Sequence, residues 1–197
     1  MKKLAFAMIA VTLPATVAAA PETYNIDPRH TFPHFTVNHL GVSNIYGRFN
    51  KSSGRLILDK AARTASIEIT IETATVDTGD SERGERKRSR DEHLRSPDFF
   101  NAAEFPQMIF KGAATKWNGD VPAEVEGQLT LLGVTRPLKF TVDHFKCGPD
   151  PRVGGRREVC GGNGTGTLKR SDFGMKFGIP GASDEIRLLL QFEAIKE

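Results

Sequence analysis

Long apolar runs are scarce in this sequence. The stretch Leu4–Leu13 is apolar but far short of the roughly 20 residues that a membrane-spanning helix needs. Helix signals are scarcer still. Only Ser89–Pro97 carries a convincing one, and everything before and after it in the mature chain reads as β-strand. Cysteine is limited to Cys147 and Cys160. Neither G-x-S-x-G nor H-E-x-x-H occurs, and no other nucleophile-and-base signature stands out. His93 beside Glu92 does not make a dyad, because adjacent helical residues do not face each other. Internal repeats and low-complexity tracts are absent, and nothing marks a domain boundary.

The first residues do have a recognisable pattern. Lys2-Lys3, the apolar run and small residues up to Ala20 read as a secretory signal over residues 1–19. Cleavage after Ala20 would leave Pro21 first, which suits a peptidase badly. Cleavage after Ala19 is expected, a retained anchor being the alternative. Removing Lys2 and Lys3 takes the formal charge from +3 to +1, which weakens any inference toward nucleic acid. Residues 20–197 remain as one domain with a sizeable core, expected in the periplasm. In an exported chain two cysteines favour a disulfide, with two free thiols as the alternative. Closing a loop of this length contributes about 3 kcal/mol in the chain-entropy reading.

Period-2 alternation runs through the rest. Phe35, Val37 and His39 share one face; Ile67, Ile69 and Ile71 share another. Met108 with Phe110, Val125 with Leu129 and Leu131, and Leu138 with Phe140, Val142 and His144 continue the pattern. A tight turn is expected over Gly133–Pro137. A Gly-rich strand near Asn163–Arg170 precedes a last one with Ile186, Leu188, Leu190, Phe192 and Ala194 on one face. About eight half-buried antiparallel strands with short connections predict a sandwich or a closed barrel. An eight-stranded barrel is just wide enough to fill itself with side chains or to hold one small ligand.

The helix is polar. Ser89 and Glu92 form a capping-box pattern, and Pro97 ends the segment. Asp91–Arg95, Arg88–Glu92 and Glu82–Arg86 lie four apart, as side-chain pairs on one helical face do. Leu94 is the one large aliphatic residue between Val76 and Pro97. The segment is therefore expected to cover or flank a mouth, anchored by Leu94, Phe99 and Phe100. His30 and His34 share a strand parity, but His39 falls on the other face and no Cys or Glu completes a set, so no metal site is expected.

Several segments, taken in order, resemble the YceI-like family of exported lipid-binding proteins. They are Asp27-Pro28-Arg29-His30-Thr31, Asn38-His39-Leu40-Gly41 with Gly47-Arg48-Phe49, Arg90 through Phe100, Phe105-Pro106, Gly127 through Pro137, and Arg170 through Gly174. Thr31 stands where that family usually has Ser, and the Cys147–Cys160 loop is less general in it. The resemblance implies a mainly β, eight-stranded antiparallel lipocalin-like barrel with one short helix at the mouth, usually a homodimer. Its interior would be an apolar tunnel for an isoprenoid lipid, such as a polyprenyl phosphate or a quinone, and no further cofactor is expected.

Inward parity nominates Phe35, Val37, Ile69, Ile71, Met108, Phe110, Leu129, Leu131, Phe140, Val142, Leu188, Leu190 and Phe192 as tunnel lining, with Phe99 and Phe100 from the helix segment. A tail gains about 0.8 kcal/mol per buried CH2, and association entropy takes back a large part. Specific binding also needs polar groups near the mouth. Candidates are His39, Arg90, His93, Arg95 and Arg170: Arg for a phosphate, a neutral His for a quinone. The partners expected are that lipid, a second copy of the chain and a transient contact with a membrane or membrane protein, without nucleic acid. An enzyme acting on such a lipid and a stress-induced protein with a filled core are the alternatives.

Overall fold

The computed structural model describes residues 20–197; the export signal expected over residues 1–19 lies outside them. Eleven strands form one antiparallel sheet. They are β1 (Glu22–Ile26), β2 (His34–His39), β3 (Ser43–Phe49), β4 (Ser52–Asp59), β5 (Thr64–Glu72) and β6 (Val76–Asp77), then β7 (Gln107–Asn118), β8 (Val121–Leu131), β9 (Val134–Pro149), β10 (Glu158–Lys169) and β11 (Ala182–Lys196). One helix, α1 (Arg90–Arg95), lies between β6 and β7. Eight strands close a barrel in the order β1-β4-β5-β7-β8-β9-β10-β11, sealed by β1 pairing with β11. The sandwich alternative is thereby set aside.

The closure uses only the last three residues of β11, where Ile26 faces Ala194. Further up, β11 pairs instead with β2, where Leu188 faces Phe35 and Ile186 faces Val37. Strands β3 and β6 then continue from β2. One edge therefore serves two strands, and the barrel splits at one end, where α1 and its flanks sit beside β6. The alternation read from sequence supplies the interior. Ile67, Ile69, Ile71, Phe110, Leu129 and Phe140 are all buried.

Two local expectations need correction. The turn between β8 and β9 is Leu132-Gly133, not Gly133–Pro137. Both residues have positive φ, 51° and 72°, the geometry that matches the twist of a two-residue hairpin. Val134–Pro137 already belong to β9, with Pro137 opposite Gln128. The second concerns the charges before α1. Positive φ at Gly79 and Gly84 (74° and 57°) keeps residues 79–88 from winding as a helix. The ion pairs therefore fall at other spacings within residues 80–98: Arg83 meets Glu92 at 2.8 Å, Arg86 meets Asp80 at 2.6 Å and Arg88 meets Asp98 at 2.9 Å.

The capping box itself is present. Ser89 Oγ accepts from Glu92 N at 3.1 Å, and the Glu92 carboxylate accepts from Ser89 N at 2.8 Å. Buried Asp91 ties the helix to the end of β6, accepting from Thr78 N (2.9 Å) and Thr78 Oγ1 (2.7 Å). Among the described residues, no helix is long and apolar enough to cross a membrane.

Candidate functional site

Inside the split end lies a cavity of about 420 Å³, within the range of small-molecule sites. Each wall strand contributes residues two apart, as a pleated strand must when one face turns inward. Val37 and Phe35 come from β2, Ile71 and Ile69 from β5, and Met108 and Phe110 from β7. Leu131 and Leu129 come from β8, Leu138 and Phe140 from β9, and Ile186, Leu188 and Leu190 from β11. The filled-core alternative does not fit this space. Val142 and Phe192 do not reach it. They line a second cavity of about 50 Å³ farther along the same strands, together with Phe145 and Val125.

The mouth is built by α1, the hairpin between β2 and β3, and the loop 174–181. Phe100 is buried and meets Phe49 edge-on at 5.2 Å between ring centroids. Phe99, His93 and Phe177 make a trio of edge contacts at 4.8, 4.9 and 5.4 Å. Leu94 packs against the core beneath the helix.

Four of the five polar candidates line this cavity: His39, Arg90, His93 and Arg170. Arg95 does not; it is exposed on α1. Their surroundings differ. Arg90 donates to Thr78 Oγ1 at 3.3 Å and stands 3.5 Å from the Asp80 carboxylate. It keeps donors available, since a guanidinium offers five. His93 Nε2 lies 2.8 Å from Asp98 Oδ2. The hydrogen bond from His93, with that from Arg88, holds the Asp98 carboxyl below the ordinary carboxylate range. His39 is exposed at the end of β2, opposite Ser43 and Ala182.

Arg170 is committed elsewhere. Its Nε donates to the Ser183 carbonyl (2.9 Å), Nη1 to those of Met175 (3.2 Å) and Phe177 (2.8 Å), and Nη2 to that of Ala182 (2.9 Å). Burial lowers its pKa, and Asp184 opposes that shift. It remains a cation, as arginine does in proteins. Its structural task is to hold the 174–181 loop and the start of β11 together, with its guanidinium 5.9 Å from the centre of the Phe99 ring.

Sequence reading passed over Met175 and Phe177, both of which line the cavity from an irregular loop that has no periodicity to betray them. Ile186 and Leu138 share the parity of nominated neighbours, so alternation alone marked them. Phe49, at the end of β3, had the weaker signal of an aromatic pair with Phe35 across a turn-rich stretch.

At the far end Cys147 and Cys160 are joined in a disulfide, directly opposite each other on β9 and β10. Asp27, His30 and Glu193 cluster nearby, but Arg152 Nη1 sits among them, 3.0 Å from His30 Nδ1 and 3.1 Å from Glu193 Oε2. A cation already occupies that place.

A closed antiparallel barrel with an apolar cavity open beside a polar helix defines a binding protein for a molecule with an apolar body. The chain belongs to the YceI-like family, whose domain matches residues 24–194. The UPF0312 protein of Pseudomonas aeruginosa strain LESB58 is 40% identical over 177 residues, covering 88% of this chain and 87% of that protein. One from Shewanella putrefaciens is 36% identical over 199 residues, covering 100% of this chain and 99% of its own. Among solved structures, the Campylobacter jejuni YCEI protein is 28% identical, with a TM-score of 0.61 over 81% of this chain and 90% of that one. A polyisoprenoid binding domain from Saccharophagus degradans, implicated in plant cell wall breakdown, is 16% identical with a TM-score of 0.60 over 88% and 98%. At that identity the likeness is one of fold.

Proposed function

We propose that this protein is an exported binding protein that sequesters an isoprenoid lipid, a polyprenyl phosphate or an isoprenoid quinone, and carries it without chemical change. The observation that carries this reading is the cavity of about 420 Å³, walled by aliphatic and aromatic side chains and open beside Arg90 and His93. An apolar tail gains free energy there in proportion to its buried area, while His39, Arg90 and His93 stand at the mouth, where a head group would lie. No nucleophile-and-base pair enters this arrangement, so it suits retention rather than turnover. The disulfide suits an oxidising compartment, which supports the periplasmic reading.

Two partners besides the lipid complete the proposal. Leu40 and Phe177 at the mouth, with Val42 and Ile179 beside them, are exposed apolar side chains suited to a transient contact with a bilayer. A second copy of the chain is the other, and light scattering of the purified protein tests it directly.

Organic extraction and mass spectrometry of protein purified from its own host test the main reading. A stoichiometric isoprenoid lipid is expected; protein that is empty and refuses added prenyl lipids would overturn it. The head group is then read from Arg90. Arg90→Ala weakens retention of a prenyl phosphate, and Arg90→Lys restores it incompletely because an ammonium lacks the planar fork. For a quinone both substitutions change little, while His39→Ala matters.

A further inference from the structure

Three side chains, Phe110, Phe140 and Leu190, line both the upper cavity and the smaller one below it. Of these, Phe110 and Phe140 meet edge to face, their ring centroids 5.2 Å apart and their planes at 80°. Both rings are buried. Beneath them about 50 Å³ remains unfilled, walled by apolar residues that include Val142, Phe145 and Phe192. We propose that the Phe110–Phe140 pair is the floor of the binding tunnel and sets the length of tail the protein accepts.

The rings are seated rather than incidentally placed. A side-chain carbon on Gly112 would meet the Phe110 ring at 2.7 Å, and one on Gly166 would meet the Lys139 carbonyl oxygen at 2.7 Å and the Phe140 ring at 3.2 Å. Each glycine leaves space beside a ring, Gly112 two residues along β7 from Phe110 and Gly166 on the strand that neighbours Phe140. A bore that served only as a filled core would have no reason to keep apolar space on both sides of one aromatic pair, since unfilled volume costs dispersion contacts on every wall. The tail enters from the mouth, runs past Ile69 and Leu188, and stops at the rings. The small chamber below is reached only when a ring is removed.

This inference rests on the lipid-binding reading, and the test separates the two. A homologous series of all-trans prenyl alcohols is titrated against a bound fluorescent apolar probe in the full-length mature protein. In the native protein, affinity rises with each isoprene unit until the tail reaches the floor, then levels. Each additional buried CH2 is worth about fourfold. Phe140→Ala therefore moves the break to a longer alcohol and tightens the first alcohol beyond the native break by at least about tenfold. Phe140→Leu and Phe110→Leu make smaller shifts in the same direction and carry the test should the alanine variant fail to fold. Adding Ala114→Leu to Phe140→Ala refills the lower chamber, which Ala114 lines, and moves the break back. A native break that stays in place in all the floor variants overturns the floor assignment, as does native affinity that never levels. A native protein that binds none of the alcohols overturns the lipid reading itself.

Discussion

At the closed end of the barrel the buried charges are the anions Asp27 and Asp150; side-chain cations hold both, Asp150 the more closely. Arg152 Nε donates to Asp150 at 2.9 Å and Arg157 Nε at 3.2 Å, and a disulfide ties the flanking strands. At the mouth the buried anion Asp91 is held by Thr78 without a cation. The buried cation Arg170 is held there by four carbonyls, those of Met175 and Phe177 in the 174–181 loop and of Ala182 and Ser183 at the start of β11. Both ends satisfy their buried charge, as folding requires. They differ in what is left over. The closed end neutralises itself with opposite charges, whereas the mouth spreads its positive charge over dipoles and keeps a cation beside the cavity. The difference separates an end built for permanence from an end built to meet a ligand.

Acid should break this comparison most. Hydrogen bonds from Lys196 and Tyr24 hold Glu22, in the closing pair of strands, down to about 2. Burial works to raise Asp27, yet hydrogen bonds from His30 and Arg29 leave it below its ordinary value. The hydrogen bond from Arg152 lowers Asp150. Groups with depressed folded pKa values stabilise the fold above their unfolded pKa and lose that contribution as pH falls through the folded one. Urea stability should therefore be level near neutrality and fall progressively from about pH 4.5 toward about 2. Glu22→Gln should flatten part of that fall; an unchanged slope would remove Glu22 from the account.

Next in size is the covalent tie. Cys147→Ser with Cys160→Ser should cost about 3 kcal/mol in urea unfolding, the scale for a loop of this length. Lipid content at low temperature should be retained, because the disulfide lies at the far end from the mouth. Simultaneous loss of bound lipid would show that the ends are coupled.

Arg170→Ala should cost about 2 kcal/mol, since it strands buried carbonyls that had a charged donor. It should also expose the 174–181 loop to proteolysis and speed lipid release, which the disulfide variant should not. Arg170→Lys should not recover the loop, because an ammonium cannot span four carbonyls arranged around a fork. The smallest effect belongs to the helix cap. Ser89→Ala should cost about 1 kcal/mol and raise amide exchange in α1 alone.

Much of this was legible in the sequence, and for identifiable reasons. Alternation at Ile67, Ile69 and Ile71 or at Leu188 and Leu190 reports directly which face is buried. Ser89 and Glu92 report a helix start, because both sides of that bond are encoded three residues apart. The charges of residues 80–88 misled, because spacing of four means contact only where the backbone is helical, and Gly79 and Gly84 prevent that. Arg170 was legible as a charged residue near the site but not as the holder of a loop, since its partners are backbone carbonyls that every sequence has. Val142 and Phe192 have the right parity yet sit below the Phe110–Phe140 pair. Parity gives the face of a strand, and depth along the bore comes only from the three-dimensional arrangement.

The shared edge of β11 bears on how the protein is made. β1 and β2, among the first strands synthesised, pair on one side with β4 and β3, but on the other side their partner is residues 182–196. A ribosome therefore releases nearly the whole chain before either strand can be paired on that side, and long-range pairings of this kind form slowly. During that interval the chain is an open, unsealed sheet at most. A polypeptide that seals itself last acquires its tunnel only after β11, its final strand, has been made.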